Sequence, residues 1–275
     1  MKLAALAAAA LVLASPAGAA TRHVVETAVQ GNVEAAFSYD FRAPYRFTHA
    51  RLTIKRGGAI LADEKLKPMT RYAEVVPARY FDHQKSVAIR NLDLDVEPEI
   101  ELDLYWGGVH CCWYTMVYRY SAASGAYLSA RHLWGNVDYR SADPDHDGLP
   151  EFVSGDDRFA YQFTDFGDSS WPVQIWTYRS GRFLDVTRRF PALIRRDARR
   201  QRRRGLSKQY RSDNSGFLAA WTADQCLLRR CASAFKQLNV LRREGRIGPD
   251  PTGDRTVRRY LAHLRRFLRR TGYLR

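Results

Sequence analysis

Apolar positions between Thr21 and about Arg188 recur with the spacing of β-strands. Runs rich in β-branched and aromatic residues are separated by short turns of Gly, Asp and Ser, a pattern typical of an antiparallel meander. Val33–Phe41 and Arg51–Lys55 are predicted strands, and Gly57-Gly58 predicts a hairpin into Ala59–Leu61. Further strands are predicted at Ile100–Trp106, Trp113–Tyr120, 152–153, 161–163 and Val173–Tyr178.

The pattern changes to a helical period after Phe190-Pro191. The final helix is predicted from a stripe that includes Tyr260, Leu264 and Phe267, with Asp250–Asp254 offering caps. We therefore predict an α+β protein in which an antiparallel β-rich body is followed by a C-terminal helical unit. The predicted divisions are a signal peptide at 1–20, a β-rich repeat domain at 21–190 and a basic α-helical region at 191–275.

An internal repeat runs through the β-rich body. Asn91–Ile100 aligns without gaps on Asp143–Phe152, and Val117–Tyr120 in the same way resembles Trp176–Arg179 further on. Each copy has an acidic loop, a strand, an aromatic strand and a glycine hairpin. A period near 50 residues is typical of propeller-blade-like repeats. Two copies cannot close a ring, so a small open sheet or a sandwich remains an alternative.

The N-terminus has the three parts of a secretory signal peptide. Lys2 is followed by an apolar stretch, Leu3–Ala14, and by a small-residue cleavage site at Ala17-Gly18-Ala19. The apolar stretch is too short to span a bilayer, and no later stretch is long enough to do so. We expect an exported protein, periplasmic, cell-surface or extracellular, with no transmembrane segment in the mature chain.

The net charge of +15 is concentrated in the helical region. From Arg188 onward there are 25 Lys and Arg against 6 Asp and Glu, whereas the preceding residues hold 19 against 23. This basic tail predicts attraction to an anionic cell-envelope polymer, although a solvated helical face would look the same. Export argues against specific recognition of nucleic acid. Another envelope protein is an alternative partner, docked through Trp221 and Tyr260.

Four cysteines are expected to meet an oxidising compartment. The simplest pairing joins Cys111 to Cys112 and Cys226 to Cys231, and cross-pairing or free thiols remain open. A bond between Cys226 and Cys231 requires a helix break at 228–230, because the two side chains would otherwise point apart.

The acidic loop Asp143–Glu151 carries the clearest chemistry in the sequence. Carboxylates at alternating positions of a tight loop supply the hard oxygen ligands that Ca²⁺ requires. Gly148 permits the left-handed turn that wraps the chain around an ion. The predicted metal ligands are Asp143, Asp145, Asp147, the carbonyl oxygen of Leu149, and Glu151. A solvated acidic turn is the alternative.

The earlier copy, Asn91–Glu99, is a weaker metal candidate. It keeps Asp93, Asp95 and Glu99, but Val96 occupies the glycine position. A left-handed conformation is costly for a β-branched residue, so this loop is expected to keep its turn and to have lost the ion, although a metal there stays open.

The D-x-D-x-D-G-x-x-E loop leading into a strand resembles the FG-GAP or VCBS repeats of secreted bacterial proteins. It is also similar to the calcium loops of integrin α-subunit propellers. The resemblance covers about residues 88–188 and implies that the loop binds calcium between strands of a blade.

These observations predict an exported, calcium-stabilised β-repeat protein that acts as a binding or structural module of the cell envelope. Its basic helical tail would contact anionic surfaces. The alternative is an envelope enzyme, a hydrolase or thiol oxidoreductase, that uses the His110-Cys111-Cys112 turn. Contact of His110 with Asp103, Asp156 or Asp157 would favour the enzyme.

Overall fold

Antiparallel sheets and a helical unit make up the computed structural model, which describes residues 20–71, 73–82, 85–108, 110–210, 213–248 and 257–274. The predicted signal peptide, apart from Ala20, and the predicted caps at Asp250–Asp254 lie outside these residues. The first sheet has the strand order β1-β2-β3-β4. Its strands are β1 (Arg22–Gln30), β2 (Val33–Arg42), β3 (Arg46–Arg56) and β4 (Ala59–Lys65).

Two further sheets follow along the chain. The second contains β5 (Val76–Pro77), β6 (Val87–Arg90), β7 (Glu99–Tyr105), β8 (Trp113–Ser121) and β9 (Ala126–Gly135), with a short helix α1 (Arg79–Asp82) between β5 and β6. Both β5 and β6 pair with β7, and β8 and β9 continue the sheet. The third has the order β10-β11-β12-β13, formed by β10 (Arg140–Ala142), β11 (Glu151–Gly155), β12 (Val173–Arg179) and β13 (Arg182–Asp185).

The helical unit consists of α2 (Pro191–Gly205), α3 (Ser215–Leu227), α4 (Cys231–Arg243) and α5 (Val257–Arg270). Pro191 stands in the first turn of α2, where its missing N–H has no intrahelical partner to lose. The predicted α+β class is confirmed. The hairpin at Gly57-Gly58 is also as predicted, since both glycines adopt positive φ angles of 57° and 83°. The predicted strand at 161–163 is wrong: this stretch forms turns that carry Phe163 into the helical core.

Apolar side chains between the sheets hold the three layers together. Phe37 and Leu52 of the first sheet pack with Ile100 and Leu102 of the second. Between the second and third sheets, a smaller core contains Leu92, Val117, Trp134, Phe152 and Tyr178. The outer face of the third sheet is covered by α2, in a core formed by Val153, Val173, Ile175, Phe190 and Ile194.

A separate core joins the helices to the connection between β11 and β12. Phe159 and Phe163 from that connection pack with Trp221 and Tyr260 of the helices. Because Trp221 and Tyr260 are 2% and 1% exposed, they belong to this core and do not form the exposed docking surface that the sequence had indicated as an alternative.

The disulfides lie within each cysteine pair. Cys111 is bonded to Cys112, and Cys226 is bonded to Cys231. The second bond closes the predicted break between α3 and α4, where Arg229 takes a left-handed φ of 61°. Burial of Cys226 in the helical core places this bond against the packed face of α3.

A buried carboxylate ties the end of the chain to the third sheet. Asp156, directly after β11, is 2% exposed. It accepts hydrogen bonds from Arg158 Nε at 2.8 Å and from the Tyr273 hydroxyl at 2.8 Å. Burial, together with the Asp156 carboxylate, raises the pKa of Tyr273 well above its usual range, so its hydroxyl remains a donor.

We expect Tyr273→Phe to lower the free energy of unfolding by about 1.5–2 kcal/mol, because it removes one hydrogen bond to a buried charge while Arg158 still pairs with Asp156. Urea unfolding checks this. The matched control is Tyr161→Phe, whose ring is half exposed, with an expected effect within about 0.5 kcal/mol. Equal effects of the two substitutions would contradict the role assigned to Asp156.

Candidate metal centre

The two acidic loops occupy the same place in successive sheets. Residues 91–98 connect β6 to β7, and residues 143–150 connect β10 to β11. Both loops take a left-handed conformation at the fourth position, with φ 68° at Leu94 and 58° at His146. The sixth position differs: Gly148 has φ 86°, as predicted, whereas Val96 does not adopt a positive φ. Only the later loop therefore takes a left-handed conformation at the sixth position, a conformation that a β-branched residue disfavours.

Three of the predicted ligands meet in the later loop. Asp143, Asp145 and Glu151 each offer a carboxylate oxygen, and these oxygens lie within 4.8 Å of one another. The main chain fixes the first of them, because Asp143 accepts hydrogen bonds from the N–H groups of Asp147 at 3.1 Å and Gly148 at 3.0 Å. Oxygens at this separation are close enough to share one cation.

The other two predicted ligands are placed differently. Asp147 lies beside this trio, where it accepts a hydrogen bond from the N–H of Leu149 at 2.9 Å and faces Arg179 Nη2 at 3.6 Å. Leu149 is buried, and because its side chain carries no oxygen, only its carbonyl oxygen could be a ligand. The loop thus clusters three carboxylates, of which Glu151 is buried and Asp145 exposed, and places a fourth beside them.

Glu151 is the carboxylate of the loop that a bound cation would stabilise most directly. It is fully buried, and neither of its carboxylate oxygens has a hydrogen-bond partner among the described residues. Burial, and then the nearby Asp145 and Asp147, raises the pKa of Glu151 to about 7. A buried carboxylate without donors is costly, and an ion coordinated by its oxygens would remove that cost.

In the earlier loop a guanidinium occupies the corresponding position. Arg119 Nε lies 3.2 Å from Asp93 Oδ2 and 3.9 Å from Glu99 Oε1, and its Nη2 donates to Asp95. Asp93, Asp95 and Glu99 also form a trio with oxygens within 4.8 Å. Arg119 therefore supplies the positive charge among carboxylates that are arranged like those of the later loop.

Strand register explains why only one loop has this arginine. Ile100 pairs with Tyr118, and Phe152 pairs with Trp176. One residue further along each pair, Arg119 stands across from Glu99, and Thr177 stands across from Glu151. The sequence alignment that matched Val117–Tyr120 with Trp176–Arg179 is therefore off by one residue. The Thr177 hydroxyl is also buried without a partner among the described residues.

Arginines outside the later trio connect it to its surroundings. Arg179 donates from Nη1 to the carbonyl oxygen of Leu92 at 2.7 Å, and its Nη2 faces Asp147, so it bridges the two loops. Arg189, which is half exposed, lies 3.2 Å from Asp145. These contacts partly neutralise the rim of the loop, and none of the described residues donates to the oxygens of Glu151.

The His110-Cys111-Cys112 turn takes a different arrangement from the one that would favour an enzyme. Its disulfide is closed, and the His110 ring packs on Phe166, with centroids 4.3 Å apart. The three candidate carboxylates have other partners. Asp103 accepts hydrogen bonds from Thr115 at 2.6 Å and Tyr139 at 2.9 Å; Asp156 binds Arg158 and Tyr273, and Asp157 holds Asn136.

Sequence reasoning missed the acidic pair formed on β7 by the buried Glu101 and the partly buried Asp103. The Tyr139 hydroxyl lies within hydrogen-bonding distance of both carboxylates, and Arg90 Nε lies 3.1 Å from Glu101. Burial, with the charge of Glu101, raises the pKa of Asp103 well above its usual range. The i, i+2 spacing of Glu101 and Asp103 was the only available signal, and it places two acids on one face of a strand.

A family model matches the helical segment of the chain, and two relatives match longer stretches of it. The model of the sll0997 C-terminal domain matches residues 194–272. The chain is 31% identical over 137 residues to a protein named probable thylakoid lumen protein sll0997, from Synechocystis sp. (strain ATCC 27184 / PCC 6803 / Kazusa), covering 48% of this chain and 40% of that protein. It is 29% identical over 192 residues to uncharacterized protein y4bJ of Sinorhizobium fredii (strain NBRC 101917 / NGR234), covering 67% of this chain and 28% of that protein.

These findings correct the resemblance drawn from the loop motif. No FG-GAP or VCBS family is found, so that assignment is wrong. A short run of alternating carboxylates around a glycine is a local solution for a tight acidic turn, and unrelated chains can share it. The chain spans less than half the length of the two relatives named above, and no solved structure matches it. The similarity to a family model lies in the helical segment, which resembles the sll0997 C-terminal domain.

Proposed function

We propose that this chain is an exported binding or structural module of the cell envelope, and that Ca²⁺ at the Asp143–Glu151 loop stabilises its fold. The observation that carries the calcium site is the fully buried Glu151, whose two oxygens have no donor among the described residues and adjoin Asp143 and Asp145. The cation would act structurally, by joining the loop to the start of β11.

Export is supported by the signal-peptide pattern and by the relative named a probable thylakoid lumen protein. Disulfides within both cysteine pairs fit an oxidising compartment. Among the described residues, no helix combines the length and the apolar character needed to cross a membrane. An envelope or lumenal compartment would also supply the divalent cation.

The basic helices supply the proposed contact with an anionic envelope polymer. Arginine side chains cover the exposed faces of α2 and α5, while Ile194 and Ala198 of α2 and Leu264 and Phe267 of α5 are buried. The packed faces thus leave the charged faces free to attract polyanions over a Debye length of about 8 Å at physiological ionic strength.

Calcium is expected to raise the thermal unfolding midpoint of the mature protein relative to EDTA. At a concentration of 100 times the dissociation constant, the added stability is about 2.7 kcal/mol. Asp145→Asn should abolish the shift, because it removes one of the three clustered carboxylates.

The matched control is Asp93→Asn, at the corresponding position of the earlier loop. It should retain the full calcium-dependent shift, because Arg119 already occupies that site. A wild-type protein that unfolds at the same temperature in calcium and EDTA would rule out the proposed site. So would equal losses of the shift in the two variants.

We expect Arg119→Gln to lower the free energy of unfolding by about 2–3 kcal/mol, in EDTA as well as in calcium. Removing the guanidinium leaves the buried Glu99 beside Asp93 and Asp95 without a counter-charge. Urea unfolding measures the change. Arg131→Gln, an exposed arginine on β9 of the same sheet, is the control and should stay within about 0.5 kcal/mol. A similarly neutral Arg119→Gln would contradict the role given to this side chain.

Calcium affinity is expected to fall about tenfold between pH 8 and pH 6, because protons compete with the cation for Glu151. The carboxyl, with its pKa raised to about 7, is mostly ionised at pH 8 and mostly protonated at pH 6. The sign follows directly: the ionised form binds, so affinity decreases as pH falls. Isothermal titration at the two pH values checks this, and a pH-independent affinity would contradict the participation of Glu151.

A further inference from the structure

A wide cleft lies between α2 and the third sheet. Its volume is about 1070 Å³, and its walls come from residues 137–140, from β11, from the connection before β12 and from the exposed side of α2. Binding sites for single small molecules occupy about 300–1,000 Å³. This cleft is at the upper end of that range or above it, so it has room for a ligand of several units.

Six arginines line the cleft. Arg140 comes from β10, and the other five come from α2 at 196, 199, 200, 203 and 204. Spacings of three and four residues place the helical five along one face. Arg200 pairs with Asp197, but Arg196, Arg199, Arg203 and Arg204 have no carboxylate within ion-pair distance among the described residues.

Asp197, a carboxylate of the wall, is held in a buried network. Asp197 is 7% exposed, and besides Arg200 it accepts hydrogen bonds from the N–H of Val173 at 3.2 Å and from Gln201 at 3.2 Å. Gln201 in turn accepts from the Ser170 hydroxyl at 2.6 Å. Asp138 is the other carboxylate of the wall. The buried network fixes the floor of the cleft, while unpaired guanidinium groups stand above it.

Aromatic and hydroxyl-bearing residues share the same walls. Tyr139, Trp171, Tyr210 and Phe217 contribute apolar surface, and Ser154, Ser169 and Ser170 contribute hydroxyl groups. Gly155 permits the close approach of Trp171, since a Cβ atom there would lie 2.7 Å from the Trp171 Cβ. Guanidinium groups recognise carboxylates through paired hydrogen bonds, and aromatic faces accept the apolar side of a ring.

We propose that this cleft binds an acidic oligosaccharide, with its carboxylate groups on the α2 arginines and its sugar rings against the aromatic wall. The inference rests on the proposed attraction of the helical unit to anionic polymers, and it names the place where one such polymer is recognised. In this proposal the arginines of α2 that line the cleft recognise the oligosaccharide. The arginines of α5 attract polyanions without selecting among them.

The test uses the mature protein in calcium and two double variants that each remove two positive charges. Arg199→Gln/Arg203→Gln alters the cleft, and Arg266→Gln/Arg269→Gln alters the exposed face of α5. The probes for isothermal titration are an oligogalacturonate, a neutral oligosaccharide of equal length and a single-stranded oligonucleotide. Thermal unfolding verifies that both variants remain folded.

The cleft variant should lose about tenfold or more in affinity for the oligogalacturonate, since each charge-assisted hydrogen bond carries about that factor. The α5 variant should lose less than about threefold, and the neutral sugar should bind more weakly than the acidic one. Equal losses in the two variants would overturn the cleft and retain general attraction. Absence of binding by the wild-type protein would overturn both. Tighter binding of the oligonucleotide would overturn the choice of a sugar.

Discussion

The central constraint in this protein is that two fully buried glutamates, Glu99 and Glu151, begin the strands β7 and β11. Each follows an acidic loop, so each sits among further carboxylates that would repel it. The earlier loop resolves this with a guanidinium from the neighbouring strand. The later loop has a threonine at the matching position, and its buried carboxylate retains free coordination sites. The two loops therefore differ in whether the protein itself supplies a positive charge to the buried glutamate.

Contacts around these loops propagate into the packing of the sheets. Arg179 joins Leu92 in the earlier loop to Asp147 in the later one, across the small core that contains Trp134 and Phe152. Displacement of either loop would therefore disturb the interface between the second and third sheets. Asp156, directly after β11, also links two parts of the fold, because it accepts a hydrogen bond from Tyr273 near the end of the chain.

Burial also accounts for the distribution of positive charge. Ile194 of α2 packs on the third sheet, and Ala198 packs in the helical core. Gly205 approaches Phe217 so closely that a Cβ atom there would lie 3.0 Å from the Phe217 Cβ. Since these positions of α2 are used for packing, the arginines can only point away from the core. Several of them then converge above the loop that carries Ser170 and Trp171, where a cleft concentrates their field.

The sequence by itself determined the features that depend on neighbouring residues. Alternation and turn chemistry identified several strands, including β2, β3, β7, β8 and β12, but not β1. The helical period after Pro191 identified the helical unit, and the spacing of Asp143, Asp145 and Gly148 identified the loop. Local sequence was not sufficient for Phe163, which resembles a strand residue yet lies in a turn because the helical core takes its ring. It was misleading for family membership, since a short acidic motif recurs in unrelated chains. Only the tertiary structure showed which loop already contains a positive charge, the guanidinium of Arg119. Arg119 lies 20 residues beyond Glu99 in the chain, and antiparallel pairing, set by side chains on both strands, is what brings the two groups together.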